Sequence, residues 1–255
     1  MTKIFALFKD PYERQARLIP GLLLALPLLI PLISVYGAKN PILTAVVGVL
    51  SSCGAIYGLA NISRGMGKRL EERLIEKWSG MPTTIILRHR DKYLDVVTKQ
   101  RYHDAITKKL GIAMPSQKDE EDNPASADDI YKGATRRLRE LTRKNKGLLF
   151  KDNIAYGFHR NMAGVKVIGI LSSLLGVMYG LIIAGVITVI PPHFEPLHFA
   201  NPGLPAGLTL LISGALLLSW LFYFNQKTIK LIGYSYAERL LECLPSLTVT
   251  VNKKK

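Results

Sequence analysis

Residues Val167 to Pro192 read VIGILSSLLGVMYGLIIAGVITVIPP and contain no Asp, Glu, Lys, Arg or His. A helix of about 20 apolar residues is long enough to cross about 30 Å of hydrocarbon. Three more uncharged runs of similar length follow the same rule, at Leu18 to Ala38, Pro41 to Ser63 and Gly203 to Phe224. The sequence therefore predicts a mainly α-helical integral membrane protein with four transmembrane helices in two hairpins.

The composition supports a division into apolar and charged segments. The 255 residues are 48% hydrophobic, yet they carry a formal net charge of +15. Almost every charge lies between the apolar runs, so the composition indicates that some segments lie in lipid and others in water. The predicted segments are an N-terminal segment with hairpin 1 (1–63), a small, mostly helical cytoplasmic domain (64–162), hairpin 2 (163–225) and a C-terminal cytoplasmic segment (226–255).

Basic residues indicate the orientation. Lys and Arg number four in residues 1–17, 22 in residues 64–160 and six in residues 227–255. The first hairpin turn has one, Lys39, and the second has none. Because positive residues favour the cytoplasmic side, both termini and the middle domain are predicted to be cytoplasmic.

The middle domain is predicted to contain helices at Gly67 to Lys77 and Asp91 to Leu110, and one capped by Asp128 or Asp129 that runs to about Lys144. Residues 115–129 are acidic and lack large apolar side chains, which is typical of a mobile loop. Without that loop the domain has 21 basic and 8 acidic residues, a net charge of +13.

This positive charge has a general and a specific interpretation. In the general one, the basic residues fix topology and contact anionic lipid. In the specific one, they form a polyanion site, with Tyr93 and Tyr102 stacking on bases. The candidate ligands of phosphate fall in two clusters: Arg88, His89, Arg90, Lys92, Lys99, Arg101 and His103, and then Arg136, Arg137, Arg139, Arg143, Lys144 and Lys146.

Small residues recur in the predicted spans at the spacing that lets helices approach closely. They are Gly54, Gly58, Gly176, Gly180 and Ala184. They either pack the hairpins of one protomer or join protomers of a homo-oligomer. Because the spans contain no Asp, Glu, Lys, Arg or His, a coupled transporter is disfavoured. The sequence is compatible with a pore lined by Ser51, Ser52, Ser172 and Ser173.

The sequence offers no support for an enzyme. The phosphate-binding loop, the HExxH zinc motif, the GxSxG elbow and paired CxxC motifs are all missing. Cys53 and Cys243 are too few for a disulfide framework. His193, Glu195 and His198 are better explained as a loop than as a metal site, and no cofactor is predicted.

Several stretches resemble a largely uncharacterised family of bacterial inner-membrane proteins. They are Met81-Pro82-Thr83-Thr84, Leu87-Arg88-His89-Arg90-Asp91, Thr98 to His103, Thr142-Arg143 and Asn153 to Asn161. The four-span architecture with a basic cytoplasmic domain also resembles the membrane effectors of bacterial antiphage systems, of the Hailong and cyclic-oligonucleotide types. That resemblance implies a ligand made by a partner nucleotidyltransferase.

The sequence therefore leaves two alternative functions. The first is an oligomeric effector that forms a pore or disrupts the membrane, controlled by a nucleotide or short nucleic acid. The second is a non-catalytic scaffold that binds anionic lipid or an acidic partner protein.

Overall fold

The computed structural model describes residues 9–36, 40, 42, 45, 48, 55–145, 147–188 and 190–247. The described part of the chain is mainly helical and has no strand. Its α-helices are α1 (Ile19–Tyr36), α2 (Ala55–Lys77), α3 (Pro82–Ile85), α4 (Val96–Leu110), α5 (Gln117–Asp122), α6 (Pro124–Leu141), α7 (Leu148–Gly164), α8 (Lys166–Ile183), α9 (Gly203–Leu218) and α10 (Gln226–Leu241). Two π-helices, Glu13–Leu18 and Ser219–Tyr223, extend α1 and α9.

Three segments of the described chain are long and apolar enough to cross a membrane: Glu13–Val35, Lys166–Ile183 and Gly203–Tyr223. They correspond to the first, third and fourth predicted spans. Of the second, Pro41–Ser63, the structure describes residues 42, 45 and 48 and the part from Ala55, which lies in α2. The structure thus shows three apolar helices of spanning length, where the sequence predicted four.

The third apolar helix is shorter than predicted because a glycine ends it. The prediction ran to Pro192, but α8 ends at Ile183. Gly185 has φ +74°, and the N–H groups of Gly185 and Val186 donate to the carbonyls of Ile182 and Leu181. This is a Schellman cap, which satisfies the last carbonyls of a helix and stops it.

Contacts divide the chain into two units. The apolar unit comprises Met1–Glu72 and Gly157–Thr228, and the charged unit comprises Arg73–Tyr156 and Ile229–Lys255. The sequence predicted a C-terminal segment separate from the middle domain. In the structure, Leu240 and Leu241 of α10 are instead part of the buried core of the charged unit.

In the apolar unit, α1, α8 and α9 all pack against one another. Glycines of α8 make the closest contacts: a Cβ added to Gly169 would lie 2.2 Å from the Trp220 ring, and one added to Gly176 would lie 2.3 Å from the Ser213 Oγ. Small residues therefore bring these helices together within one chain.

A second close crossing joins α2 and α7. A Cβ added to Gly164 would lie 2.5 Å from the backbone N of Gly67. Beside this crossing, Arg160 pairs with Glu71 at 3.1 Å and donates to the Asn161 Oδ1. The buried Asn161 donates in turn to the Ala16 carbonyl at 2.6 Å. A polar network thus fixes this end of the apolar unit.

The two π-helices receive matching side-chain donors. A π-turn bonds residue i to i+5, as in Ile19 N–H to Arg14 O and Phe224 N–H to Ser219 O, and it disturbs the regular ladder of helix carbonyls. Asn161 donates to Ala16 O in the first π-helix. Lys166 donates to Leu221 O in the second, at 3.2 Å.

The core of the charged unit is built from α4, α6 and α10 around residues 85–87. Ile86, Tyr131 and Leu240 are completely buried there, and Ile106 nearly so. The predicted helix from Asp91 begins only at Val96, because the Asp95 carboxylate caps it by accepting from Thr98 N–H at 2.8 Å. It ends as predicted, at Leu110.

The prediction of a mobile loop at 115–129 was wrong. Ser116 and Asp119 form a reciprocal capping box that starts α5, and Asn123 caps α6 by accepting from Ser126 N–H. The predicted cap, Asp128 or Asp129, is therefore displaced by Asn123, with Pro124 at the first helical position. Local capping orders a segment that its composition alone would leave unstructured.

Candidate anion-binding surface and cleft of the charged unit

The first predicted basic cluster is largely turned inward. The Arg88 side chain is buried, and its Nε and Nη2 donate to the two carboxylate oxygens of Asp128 at 2.8 and 2.7 Å. Nη2 also donates to the carbonyl of Ser79. This two-point pair occupies the N–H groups of the Arg88 guanidinium with which it would bind a phosphate.

Glu120 is the centre of this buried network. Its side chain is only 3% exposed, and it accepts from the N–H groups of His89 and Arg90, from the Arg90 guanidinium at 2.8 Å and from the Tyr131 hydroxyl at 2.6 Å. Burial acts to raise the pKa of Glu120, but these hydrogen bonds outweigh it and lower the pKa. The carboxylate is therefore ionised at neutral pH.

Lys99 and His103 are also buried. The Lys99 ammonium donates to the carbonyl of Asp91, and burial lowers its pKa. His103 Nε2 lies 2.8 Å from the Leu87 carbonyl, and burial lowers the pKa of the imidazole. Neither side chain presents a charge to solvent.

The aromatic partners expected for bases are occupied. Tyr102 is buried, and Tyr93 stacks on Tyr234 with ring centroids 4.4 Å apart. Of the first cluster, Lys92, Arg101 and part of Arg90 face solvent. The Arg90 guanidinium is 43% exposed but pairs with both Glu120 and Asp128. The structure therefore pairs Arg88 and Arg90 with carboxylates of the same chain, whereas Lys92 and Arg101 stay exposed.

The second cluster is arranged in the opposite way. All five of its described cations lie exposed on the last turns of α6 and just beyond: Arg136, Arg137, Arg139, Arg143 and Lys144. Lys146 lies outside the described residues. Glu140 is the nearby acid and pairs with Arg136 at 3.8 Å and Arg137 at 3.3 Å.

We call these five residues the α6 basic surface. In the described chain, no carboxylate lies within ion-pair distance of Arg139, Arg143 or Lys144. The surface can therefore bind an external anion without first breaking a buried pair.

A polar cleft of about 370 Å³ opens beside α4. Two imidazoles, His89 and His103, face it, with ring centroids 4.8 Å apart. The other lining residues are Val96, Gln100, Asp104, Thr107, Met114, Pro115, Ser116 and Gln117. A smaller cavity of about 150 Å³ shares His89 and Gln117 with it.

The predicted packing residues of the spans behave differently from one another. Gly176 and Gly180 contact Ser213 and Leu210 of the same chain, and Ala184 is buried with Val186 and Ala206. A Cβ at Gly58 would meet no described atom within 4 Å, and Gly54 lies outside the described residues.

The counter-ions of the first cluster were missed by sequence reasoning. Glu120 and Asp128 fell in the segment predicted to be mobile, so they were not paired with Arg88 and Arg90. The signal that identifies their helices is local: Ser116 three residues before Asp119, and Asn123 before Pro124. Among the described residues, no group of three His, Cys, Asp or Glu side chains is placed to hold a metal ion.

In comparisons with known proteins, no family model, no curated protein and no solved structure matches this chain.

Proposed function

We propose that the chain is a four-span protein of the bacterial inner membrane, with both termini and the charged unit in the cytoplasm. The apolar unit supports this with an inverted distribution of side chains. On α8, Leu171, Leu175 and Met178 point outward, whereas Ser172 and Ser173 are buried. Large apolar groups outside and small polar groups inside suit a helix bundle surrounded by lipid.

The proposed function is that of an effector controlled by an anionic ligand, a nucleotide or short nucleic acid, at the α6 basic surface. The observation that carries this proposal is the contrast in charge pairing: the five cations of that surface are all exposed, while Arg88 and Arg90 of the first cluster are paired with carboxylates of the same chain. The source of the ligand would be a partner nucleotidyltransferase, as in the antiphage effectors that the sequence resembles.

Control of the membrane segments requires that the ligand bind two states of the protein with different affinity. One unbroken helix, α2, continues from the end of the second predicted span to Lys77. In this proposal α2 transmits the change, and the active state is a homo-oligomer that opens a pore or disrupts the bilayer.

The scaffold function is the second candidate, and one observation favours it. Ser172, which was expected to line a pore, instead donates to the Leu24 carbonyl at 2.6 Å inside the unit, and Ser173 is fully buried. The exposed face of α8 is therefore apolar. In a scaffold, the α6 basic surface would bind anionic lipid or an acidic partner protein.

The deciding experiment measures binding of the detergent-purified chain to labelled short DNA, short RNA and cyclic oligonucleotides over a salt series. Two double variants carry the same change in charge: Arg137→Ala/Arg143→Ala in the α6 basic surface and Lys92→Ala/Arg101→Ala in the exposed part of the first cluster. The proposal expects the first variant alone to lose affinity, with a salt slope reduced by about 0.7 for each phosphate that the protein no longer neutralises.

Liposome flux then separates the two candidates. Dye or ion release that depends on the bound ligand would eliminate the scaffold. Binding only to anionic vesicles, without release at any protein-to-lipid ratio, would eliminate the effector. Equal binding by both double variants would remove the α6 basic surface from either function.

A further inference from the structure

The polar cleft follows one face of α4. The residues of α4 that line it are Val96, Gln100, Asp104 and Thr107. Their spacing places them along one stripe of the helix, and the stripe is about 16 Å long. The opposite wall is the segment from Met114 to Gln117. At about 370 Å³, the cleft falls in the size range of small-molecule sites, about 300–1,000 Å³.

The lining of the cleft differs from the rest of this basic protein. The chain has a net charge of +15, yet among the residues that the structure describes no Lys or Arg lines the cleft, and Asp104 is its one carboxylate. A phosphate would therefore meet a negative charge and no cation there. The cleft suits an uncharged ligand that makes hydrogen bonds.

Each of the two imidazoles is held by a backbone carbonyl at its Nε2 atom. His89 Nε2 lies 3.0 Å from the Pro115 carbonyl, and His103 Nε2 lies 2.8 Å from the Leu87 carbonyl. A carbonyl only accepts, so each Nε2 carries the hydrogen. In the neutral ring, each Nδ1 is then an acceptor.

The Asp104 carboxylate is also an acceptor, and it is held in place. Gln100 Nε2 donates to Asp104 Oδ1 at 2.9 Å. The Thr107 hydroxyl adds a group that both donates and accepts. The Ser116 hydroxyl donates to Asp119, and the Gln117 amide donates to Glu121. Val96, Met114 and Pro115 provide apolar surface for the face of a flat ring.

From this lining we infer that the cleft binds a nucleoside through a base that carries N–H donors, with the amino-bearing edge of the base toward Asp104 and Gln100. This inference rests on the proposed function for its ligand class, but on different residues. The α6 basic surface binds phosphate, and the cleft binds the uncharged base and sugar.

The test is titration calorimetry of the full-length chain in detergent with guanosine, adenosine and uridine, which have no phosphate. Guanosine or adenosine is expected to bind more tightly than uridine, with an affinity nearly independent of salt because no ion pair forms. Gln100→Trp, which fills the cleft, is expected to abolish binding. Asp104→Ala is expected to weaken it by about tenfold, the loss of one hydrogen bond to a charged group.

The controls separate this inference from the proposed function. Asp122→Ala removes an exposed acid outside the cleft and should leave nucleoside binding unchanged. Because Gln100 and Asp104 are exposed, both variants are expected to fold, which circular dichroism checks. Nucleoside binding that survives Gln100→Trp, or that is absent at millimolar concentration in the wild type, overturns the inference.

The two proposals fail in different ways. If oligonucleotides bind through Arg137 and Arg143 but no nucleoside binds, the cleft inference is wrong and the proposed function stands. If nucleosides bind in the cleft but oligonucleotide binding is unaffected by Arg137→Ala/Arg143→Ala, the cleft stands and the α6 basic surface does not.

Discussion

The two basic clusters of the charged unit are both rich in Lys and Arg but differ in how the fold treats their charge. Around Arg88 and Arg90, the buried carboxylate of Glu120 and the half-buried carboxylate of Asp128 accept hydrogen bonds from both guanidinium groups. On the α6 basic surface, five exposed cations have Glu140 as their nearby acid. The difference teaches that a run of Lys and Arg becomes a binding surface only where the fold leaves its charge unpaired.

The largest effect is expected from Glu120→Ala. The change would leave the Arg90 guanidinium, two backbone N–H groups and the buried Tyr131 hydroxyl without their acceptor. Breaking a buried pair of this kind costs about 3–5 kcal/mol. Hydrogen exchange of peptides from α5 and α6 would measure this loss of stability of the charged unit.

The matched control for that change is Glu121→Ala. Glu121 is the exposed neighbour, bonded at the surface to Gln117, and its loss should change stability by about 0.5 kcal/mol or less. Equal protection of α5 and α6 in the two variants would show that Glu120 is not the centre of the network.

A crossed pair of variants sharpens the comparison further. Arg88→Ala should destabilise the charged unit by about 1.5–3 kcal/mol, because the half-buried Asp128 loses its two-point charged partner and keeps the bond from Arg90. Arg143→Ala should leave stability within about 0.5 kcal/mol but weaken anion binding. Thermal unfolding and oligonucleotide binding, measured on both variants, would contradict the comparison if Arg143→Ala were the less stable one.

Acid should act on the buried cluster and not on the exposed one. The pKa of His103 is lowered in the folded state from its ordinary value of 6.5, so the unfolded state binds the proton first. Stability is therefore complete above about pH 6.5 and falls as the pH drops below it, by at most about 1.4 kcal/mol per pH unit for this one group. Glu120, whose pKa is lowered from 4.5, adds a further loss below about pH 4.5.

Hydrogen exchange between pH 7 and pH 5 would detect the first of these losses. The variant His103→Gln keeps a donor for the Leu87 carbonyl but has no titrating ring, so its stability should be flat over that range. A pH dependence identical to that of the wild type would assign the loss to another group.

The smallest effect concerns Glu140. Glu140→Gln removes the acid that pairs with the α6 basic surface, so anion affinity should rise about twofold. Exposed ion pairs contribute about 0–1 kcal/mol, and stability should hardly change. A lower affinity in this variant would mean that Glu140 orients the arginines instead of competing with the ligand.

The sequence was sufficient for the features that depend on long-range composition. The uncharged runs predicted the three described apolar helices, because an apolar stretch of that length has few other structures available to it. The helix from Gly67 to Lys77 was also found, as the last part of α2. These predictions needed no knowledge of which residue meets which.

The candidate site was harder, because it depends on pairs far apart in the chain. Arg88 and Asp128 are 40 residues apart, and Arg90 and Glu120 are 30 apart. The net charge of a segment does not show which of its residues pair with residues elsewhere. The acidic stretch at 115–129 was therefore predicted to be a mobile loop. A shorter local pattern, the capping residues Ser116, Asp119 and Asn123, indicates the two helices that the structure shows there.

The π-helix at Glu13–Leu18 has a consequence for insertions and deletions in this chain. A π-turn holds one residue more than an α-turn, so removing a single residue there would allow a regular helix. Because the wider turn completes the same rotation with one residue more, this deletion would keep the phase of α1, and Leu24 would stay buried in its cluster. A deletion in the regular part of α1 before Leu24 would instead turn that residue by about 100° relative to the chain before it. A change of one residue in length is therefore tolerated better in this π-helix than in the regular helix that follows it.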